Sequence, residues 1–562
     1  MTNEAGGPVL RQGKARLAYR DSSEAFLLDF FAANRVNEYE LFPKDAPWPI
    51  RYHLTPRRKT LVSWLDFGNS GRILELGAGC GALTSHLVTL PQTVTAVEGS
   101  PERAEIIRRR CRDAANLEIV VENAALLEYK RTFDVVLLIG VLEYAGAFVD
   151  GPQPHLRLLK QARRYLKDDG CLVLAIENRL GHKYLAGLPE DHIGRPYVGI
   201  NGYPGPGGAR TFDRTELTAL LDQAGFPARQ WYSPSPDYKT PDSIVAEQAF
   251  ATPGFDPLPL LELPTPDCAG TAVPTFNERQ FLRSVMATGA AGHFMNSFLV
   301  LAATTPDAPM LAANAPTLAV AVNADSCPPV FQTMTRFTLA PDGGITVTRR
   351  NLHGLPPAAF AAGSQYVKAS EPLHRGYTSF LQAALTAVES GDPAGAAKRL
   401  LAWMEQLAAR AKPAGPTSQA GFETFCRHHL GRTIYLGRER GPWLSGSLLD
   451  AHPGNVLFHP ATGDVRYIDL EWRLACDLPL QLLFDRGINL FGQKCRTLAP
   501  YLDLPSPDVL PPVVERLLSR HPLYREADTE GLAAITQWLL AAVTHGSLDY
   551  CLPGAEAAAA AR

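Results

Sequence analysis

The sequence predicts an α/β fold over its first half and a smaller β unit followed by a mainly helical one over its second. Two patterns carry this expectation. Between residues 70 and 180, short apolar runs of strand length alternate with helix-compatible segments, the signature of a parallel sheet covered on both faces. Beyond residue 290, several strand-like runs come first and Ala-rich amphipathic stretches follow. At 562 residues the chain exceeds what one hydrophobic core serves, so more than one domain is expected.

In chain order, Arg72-Ile73-Leu74-Glu75-Leu76, Thr93 to Val97, Leu117 to Val121, Asp134 to Leu138 and Cys171 to Ile176 read as buried strands. Pro101 to Ala115 and Pro154 to Leu166 fit the helices between them. Leu188 to Arg210 and Pro234 to Pro241, rich in Gly and Pro, read as loops over the sheet's carboxyl edge, and Ser243 to Phe250 as a last strand. Ala251 to Pro274 shifts to proline and small residues, a linker composition. Phe298 to Ala303, Thr317 to Val322, Val330 to Phe337 and Ile345 to Arg349 look like antiparallel strands, with a hairpin turn at Asp342-Gly343-Gly344. From Ser379 the pattern is mostly helical, and the tail Ala557 to Ala561 is of low complexity.

Composition narrows the function classes. A net charge of −3 offers no basic field for nucleic acid. Met1 to Gly13 lacks the apolar core of a signal peptide, and no apolar run reaches the ~18 residues of a membrane span. The nine cysteines include no CxxC pair, so they read as small core residues in a reducing cytoplasm rather than as disulfides or metal ligands.

The first candidate site is the turn Glu75-Leu76-Gly77-Ala78-Gly79-Cys80-Gly81, between a strand and a helix expected near Ala82. Glycines there permit positive φ and let a ligand approach bare backbone. Glu98 ends the next strand, where an acid can accept both ribose hydroxyls of an adenosine moiety. With Asn123 and Ala124 at the end of the third strand and Leu142-Glu143-Tyr144 after the fourth, the run from about Arg51 to Phe250 resembles class I S-adenosylmethionine-dependent methyltransferases. The resemblance implies a Rossmann-like seven-stranded domain. It also implies a cofactor site of Glu75, Gly77, Gly79, Gly81, Glu98, Asn123 and Ala124, with Glu75 at the cofactor's amino-acid end.

The acceptor half is read from polar clusters in the loops: Asn178 and Arg179, Lys183, Glu190-Asp191-His192, Arg210, and Asp237-Tyr238-Lys239. Loops at the carboxyl ends of strands are where such sheets bind ligands. Methyl transfer is an in-line displacement that the protein mainly orients. A hydroxyl acceptor would also need a base, for which His192, beside Asp191, or His182 is the candidate. A phosphate acceptor would need cations instead, which Arg179, Lys183, Arg210 and Lys239 offer, with Asn178 beside them.

The second candidate site is Asp450-Ala451-His452-Pro453-Gly454-Asn455, then a hairpin leading to Asp469-Leu470-Glu471. This resembles the protein-kinase and aminoglycoside-phosphotransferase superfamily, and implies an α+β two-lobed kinase-like domain. Asp450 would position a hydroxyl, and Asn455 and Asp469 would hold Mg²⁺ on ATP. Departures are plain: Leu448 stands where His is usual, no Gly-rich loop appears, and Arg349 takes the place of the nucleotide-binding Lys. Tyr366 to Leu373 resembles the hinge between lobes.

The expected layout is an N-terminal extension over 1–50, a methyltransferase domain over 51–250, a linker over 251–290 and a kinase-like domain over 291–555, its lobes dividing near 366. That order resembles bifunctional enzymes that cap bacterial O-antigen polysaccharides by phosphorylating and then methylating a terminal sugar. It implies a saccharide, glycan-linked phosphate or related hydroxyl acceptor, glycan biosynthesis enzymes as partners, and a place in the cytoplasm or peripherally at the inner membrane. The alternative is a methyltransferase of small natural products whose kinase-like domain is a non-catalytic scaffold.

Overall fold

A computed structural model describes residues 7–13, 21–33, 47–68, 71–204, 208–261, 276, 278–323, 329–356, 359–360, 363–365, 370–413, 415–430, 442–498 and 550–551. The chain divides into two compact units, the first comprising residues 1–325 and 336–345, the second 326–335 and 346–562. The tail 557–561 and residues 366–369 of the expected hinge lie outside the described residues.

In the first unit the strands are β1 (Val9–Gln12), β2 (Arg72–Leu76), β3 (Thr93–Glu98), β4 (Leu117–Val121), β5 (Phe133–Ile139), β6 (Leu166–Glu177), β7 (Ala228–Ser235), β8 (Ser243–Ala246), β9 (Ser297–Ala303) and β10 (Thr317–Asn323). They lie side by side in the order β1-β4-β3-β2-β5-β6-β9-β7-β8-β10. Strands β1 to β6 pair in parallel; β9 runs antiparallel to both β6 and β7. Near-continuous apolar sequence makes β2 to β6 buried on both faces, as a helix-covered parallel sheet requires.

Two helices show how the cover is built. Pro154–Tyr165 starts on a proline and buries Leu156, Leu158, Leu159, Ala162 and Tyr165. Arg214–Ala224 is held at its start by an Asp213–Glu216 capping box and at its end by Gly225 at φ 91°, and buries Leu217, Leu221 and Ala224. Both faces join Leu74, Leu138, Leu174 and Ile176 in one core.

The sheet revises the expected domain layout. β9 and β10 were expected to open a small kinase lobe, yet both belong to the first unit, with β9 between β6 and β7. Every residue of β9 is buried. A strand that apolar on both faces can sit in the middle of any covered sheet, so its sequence does not name its neighbours. The described parts of the expected linker 251–290 are likewise part of this unit: Leu258–Leu261 and Glu278–Ala287 are helices, and Ser243 Oγ donates to the Leu260 carbonyl. The expected strand to Phe250 stops at Ala246, where a 3₁₀ turn, Glu247–Ala251, begins. The N-terminal extension also joins the unit, adding β1 to the sheet edge by pairing with β4.

The second unit, taken by itself, holds the helices Phe380–Glu389, Pro393–Ala408, Pro416–Leu430 and Leu480–Leu498 around a core that includes Trp403, Phe422, Phe484 and Phe491. Val456–Phe458 and Val465–Tyr467 form the expected hairpin, with Val456 opposite Tyr467. Ser370 to Pro372, expected within a hinge, pair antiparallel with Thr346 to Thr348.

Candidate active site

A cavity of about 760 Å³ opens over the carboxyl ends of β2, β3 and β5 in the first unit. One end is built on the glycine turn. Gly77, Gly79 and Gly81 take φ of 71°, 58° and 76°, conformations that side-chain-bearing residues adopt at a cost. Gly77 N and Ala78 N donate to Val97 O at 2.9 and 3.0 Å, hooking the turn over the end of β3. A Cβ on Gly77 would stand 2.5 Å from Val141 Cγ2, while one on Gly79 would meet nothing within 4 Å among the described residues. Gly79 therefore leaves bare backbone on the open side, where a ligand can approach.

Two acids flank that opening. Glu98 accepts from Gly79 N and Ser100 N, each at 2.8 Å, so its carboxylate is aimed along the turn; burial nonetheless raises its pKa. Glu75 is 4% exposed and accepts from Thr84 Oγ1 at 2.6 Å. Burial outweighs that bond and the nearby Arg58, and Glu98 adds repulsion, so the Glu75 pKa is pushed up to about 7. Asp21 and Trp48, from the N-terminal extension, and Tyr52 and His53, just after it, complete the wall.

The other end is dense in charge. Lys183 Nζ lies 2.9 Å from Asp191 Oδ2 and 3.4 Å from Asp237 Oδ2, and Lys239 Nζ pairs with Glu177 and Asp191. Burial alone would raise Asp191, but Lys183 and Lys239 hold its pKa well below the ordinary value. His192 Nδ1 bonds Glu190 Oε1 at 2.9 Å, and its Nε2 lies 3.7 Å from Glu143 Oε1 and 3.9 Å from Glu177 Oε1. Burial pushes His192 down, yet Glu177, Glu143 and Glu190 together hold it up at about 10. Among the described residues, the buried atoms Glu143 Oε2 and Glu177 Oε2 have no hydrogen-bond partner.

Residues 74–172 match a family described as "Methyltransferase domain", a segment that holds most of β2, β3 to β5, most of β6 and the glycine turn. The N-terminal part of the chain holds a class I, S-adenosylmethionine-dependent methyltransferase domain. The chain is 28% identical over 143 residues to the demethylmenaquinone methyltransferase of Tropheryma whipplei (strain Twist), covering 25% of this chain and 53% of that protein. It thus spans about half that relative's length. It is 29% identical over 173 residues to the ubiquinone biosynthesis O-methyltransferase of Xanthomonas oryzae pv. oryzae (strain PXO99A), covering 30% of this chain and 68% of that one. Among solved structures, it is similar to the Burkholderia thailandensis 1,6-didemethyltoxoflavin-N1-methyltransferase bound to S-adenosylhomocysteine. There the identity is 22% and the TM-score 0.25, over 42% of this chain and 91% of that one.

The methyltransferase domain sorts the residues expected from sequence. Glu75, Gly77, Gly79, Glu98, Ala124, Lys183, Asp191, His192 and Lys239 line the cavity. Asn123 turns inward instead: its Nδ2 donates to Phe148 O at 2.9 Å and its Oδ1 accepts from Ala125 N at 2.9 Å, bracing the loop. Gly81 packs toward Ile107 and Arg110 and serves the fold.

Asn178, Arg179 and Arg210, expected on the acceptor, do not line the cavity. Asn178 Nδ2 donates to the carbonyls of His293 and Met295, each at 2.8 Å, tying β6 to the segment before β9. Arg179 braces the capping box through Asp213 at 2.5 Å and Glu216 at 2.9 Å, and Arg210 bonds Glu216 at 2.8 Å. His182 is turned to Phe294 O at 3.0 Å. His192, expected as a base, sits among Glu177, Glu143 and Glu190, which against its burial raise its pKa to about 10.

Glu143 and Glu177 were missed as site residues. Glu177 ends β6 and Glu143 follows β5 within four residues, the same acid-after-apolar-strand signal that marked Glu98.

In the second unit, Arg349 lies 2.7 Å from both Glu371 Oε1 and Asp469 Oδ1, and Asn455 Nδ2 donates to Asp469 O at 3.3 Å. Asp469 takes φ 53°. Asp450, 5% exposed, accepts from Trp472 N at 2.8 Å and lies 3.2 Å from Arg486 Nη2. Burial raises the pKa of both aspartates against their arginines.

Proposed function

We propose that the first unit transfers a methyl group from S-adenosylmethionine to a hydroxyl oxygen of a small acceptor. The observation that carries this is the pairing of Glu98 with the amide of Gly79, across a turn whose open side faces the cavity. The residues present fit the cofactor: Glu98 would accept from its ribose hydroxyls, and the Glu75 carboxylate would meet its ammonium. When bound, that group supplies a methyl carbon activated by a sulfonium. The chain's task is to align an oxygen with that carbon, keep water out with the wall of Trp48, Tyr52, Tyr144 and Tyr238, and receive the hydroxyl proton. We assign the proton to the acid-rich end around Glu143, Glu177 and Glu190.

The balance of charge there favours an uncharged hydroxyl over a glycan-linked phosphate. Lys183 and Lys239 are already neutralised by Asp191, Asp237 and Glu177, so a phosphate dianion would enter a site with acids in excess. Methyl transfer should therefore be detectable from radiolabelled S-adenosylmethionine to neutral sugars or phenolic hydroxyls. Preferential labelling of phosphorylated sugars would contradict the reading.

For the second unit we infer a kinase-like scaffold without phosphoryl transfer. The supporting observation is that Arg349 neutralises Asp469 while Arg486 and Trp472 N occupy Asp450. These are the carboxylates that phosphoryl transfer would need free for Mg²⁺ and for the acceptor hydroxyl. ATP with Mg²⁺ should leave its melting unchanged; ATP-dependent labelling of a sugar, lost in Asp450→Ala, would contradict this.

A further inference from the structure

Beyond the methyl-transfer reading, we propose that Glu143, Glu177 and His192 form a binding site for one divalent first-row transition ion, such as Zn²⁺ or Mn²⁺, at the acid-rich end of the cavity. One donor atom from each residue lies within 4.8 Å of the other two. Donors sharing one ion at bonds of about 2.0–2.2 Å stand within about 4 Å of each other. A closing of about 1 Å between donors would complete the set.

Two further observations point to a cation. Glu143 and Glu177 are 1% and 0% exposed, and each keeps one carboxylate oxygen with no hydrogen-bond partner among the described residues. A buried carboxylate oxygen left unpaired is costly, and natural proteins seldom tolerate two side by side. Glu177 already uses one oxygen on Lys239, which leaves the other as a donor.

The second observation is charge. Glu143, Glu177, Glu190, Asp191 and Asp237 share this end with the ammonium groups of Lys183 and Lys239 and the ring of His192. Arg58, the next cation along, donates to the backbone oxygen of Lys239 at 3.0 Å. Five carboxylates against two ammonium groups leave an excess of negative charge that a divalent ion would largely offset.

The donor set selects the ion. Two carboxylates and one imidazole are a borderline set, better suited to Zn²⁺ or Mn²⁺ than to the all-oxygen preference of Mg²⁺. The second imidazole nitrogen is held by Glu190 at 2.9 Å, the carboxylate–histidine arrangement that fixes a ligating tautomer. Three protein ligands leave positions open, and Glu143 and His192 both line the cavity. An acceptor hydroxyl bound to the ion would lose its proton more readily than a free one. In this respect the site deepens the methyl-transfer reading, but ion binding can be measured without any methyl transfer.

The test uses the full chain without an affinity tag, stripped with chelator and dialysed against ZnCl₂, MnCl₂ or MgCl₂, with bound metal counted by mass spectrometry. The expected result is about one Zn²⁺ or Mn²⁺ per chain, weaker Mg²⁺ binding, and roughly tenfold or greater loss of affinity in Glu143→Gln and in His192→Gln. Glu105→Gln, at an exposed helical ion pair, should bind as the parent does. S-adenosylhomocysteine binding by calorimetry, retained in the variants, shows that they fold and tests the methyltransferase reading separately. No bound ion in the parent chain overturns the proposal without reference to any variant, and so does binding of equal strength in all the variants.

Discussion

Glu75→Gln isolates the ionisation of the acid before the glycine turn. Glu75 is buried, and its pKa rises from 4.5 to about 7 because desolvation outweighs the bond from Thr84. At 1.36 kcal/mol per pH unit, that gap corresponds to ~3 kcal/mol. The sign follows from linkage: the folded domain binds the proton more tightly than the unfolded chain does. The associated stability is fully present below pH 4.5 and is lost as pH rises through about 7. Glutamine cannot ionise, and its amide oxygen still accepts from Thr84. Relative to the parent, Glu75→Gln should therefore gain ~2–3 kcal/mol between pH 5 and pH 8. The assay is urea unfolding at both pH values, with the first unit's transition identified by its shift when S-adenosylhomocysteine is added. Because other titrating groups are common to both proteins, the difference reports Glu75 alone. A ligand ammonium requires the carboxylate, so binding in the parent should also tighten as pH rises through about 7 and release a proton, and neither should occur in the variant. Parallel stability profiles, with the same difference at both pH values, would refute the reasoning.

Further outcomes follow from other contacts. Gly77→Ala forces a Cβ to 2.5 Å from Val141 at φ 71°, and should cost about 1–3 kcal/mol of stability in thermal unfolding. Gly79→Ala meets no steric neighbour, so it should melt closer to the parent than Gly77→Ala while weakening S-adenosylhomocysteine binding in calorimetry. Lys239→Met strands Glu177 and Asp191 without their shared cation, and should lower the first unit's stability by about 3 kcal/mol in urea. In the second unit, Arg349→Met removes the guanidinium that Glu371 and Asp469 share, with an expected loss of about 3 kcal/mol, again in urea.

Much of the first unit was legible because its physics is local. Strands buried on both faces must be apolar throughout, so β2 to β6 stand out as runs. Positive φ at Gly77, Gly79 and Gly81 calls for glycine, so the turn stands out as well. What was not legible depends on chain segments far apart in sequence. β9 is as apolar as β6, and nothing in Ser297 to Ala303 says that it inserts between β6 and β7 rather than starting a new domain. Arg179 and Arg210 read as free cations until the capping box of the helix at Arg214–Ala224 claims them. His192 read as a base because its sequence neighbours hide Glu143 and Glu177, which reach it from 49 and 15 residues away and, against its burial, raise its pKa. The extension before residue 50 carried no motif, yet it supplies Asp21 and Trp48 to the cavity wall.

The central claim is that the cavity over the glycine turn binds S-adenosylmethionine through Glu98. Calorimetric titration of the full chain with S-adenosylhomocysteine tests it most directly, comparing the parent with Glu98→Ala and Glu98→Gln. Charge-assisted bonds from two ribose hydroxyls contribute about 1.5–3 kcal/mol each. Glu98 also holds the amides of Gly79 and Ser100. Binding near one equivalent should therefore weaken at least roughly tenfold in Glu98→Gln and further in Glu98→Ala, with both variants folded by circular dichroism. No binding to the parent, or equal binding by all three proteins, would contradict it.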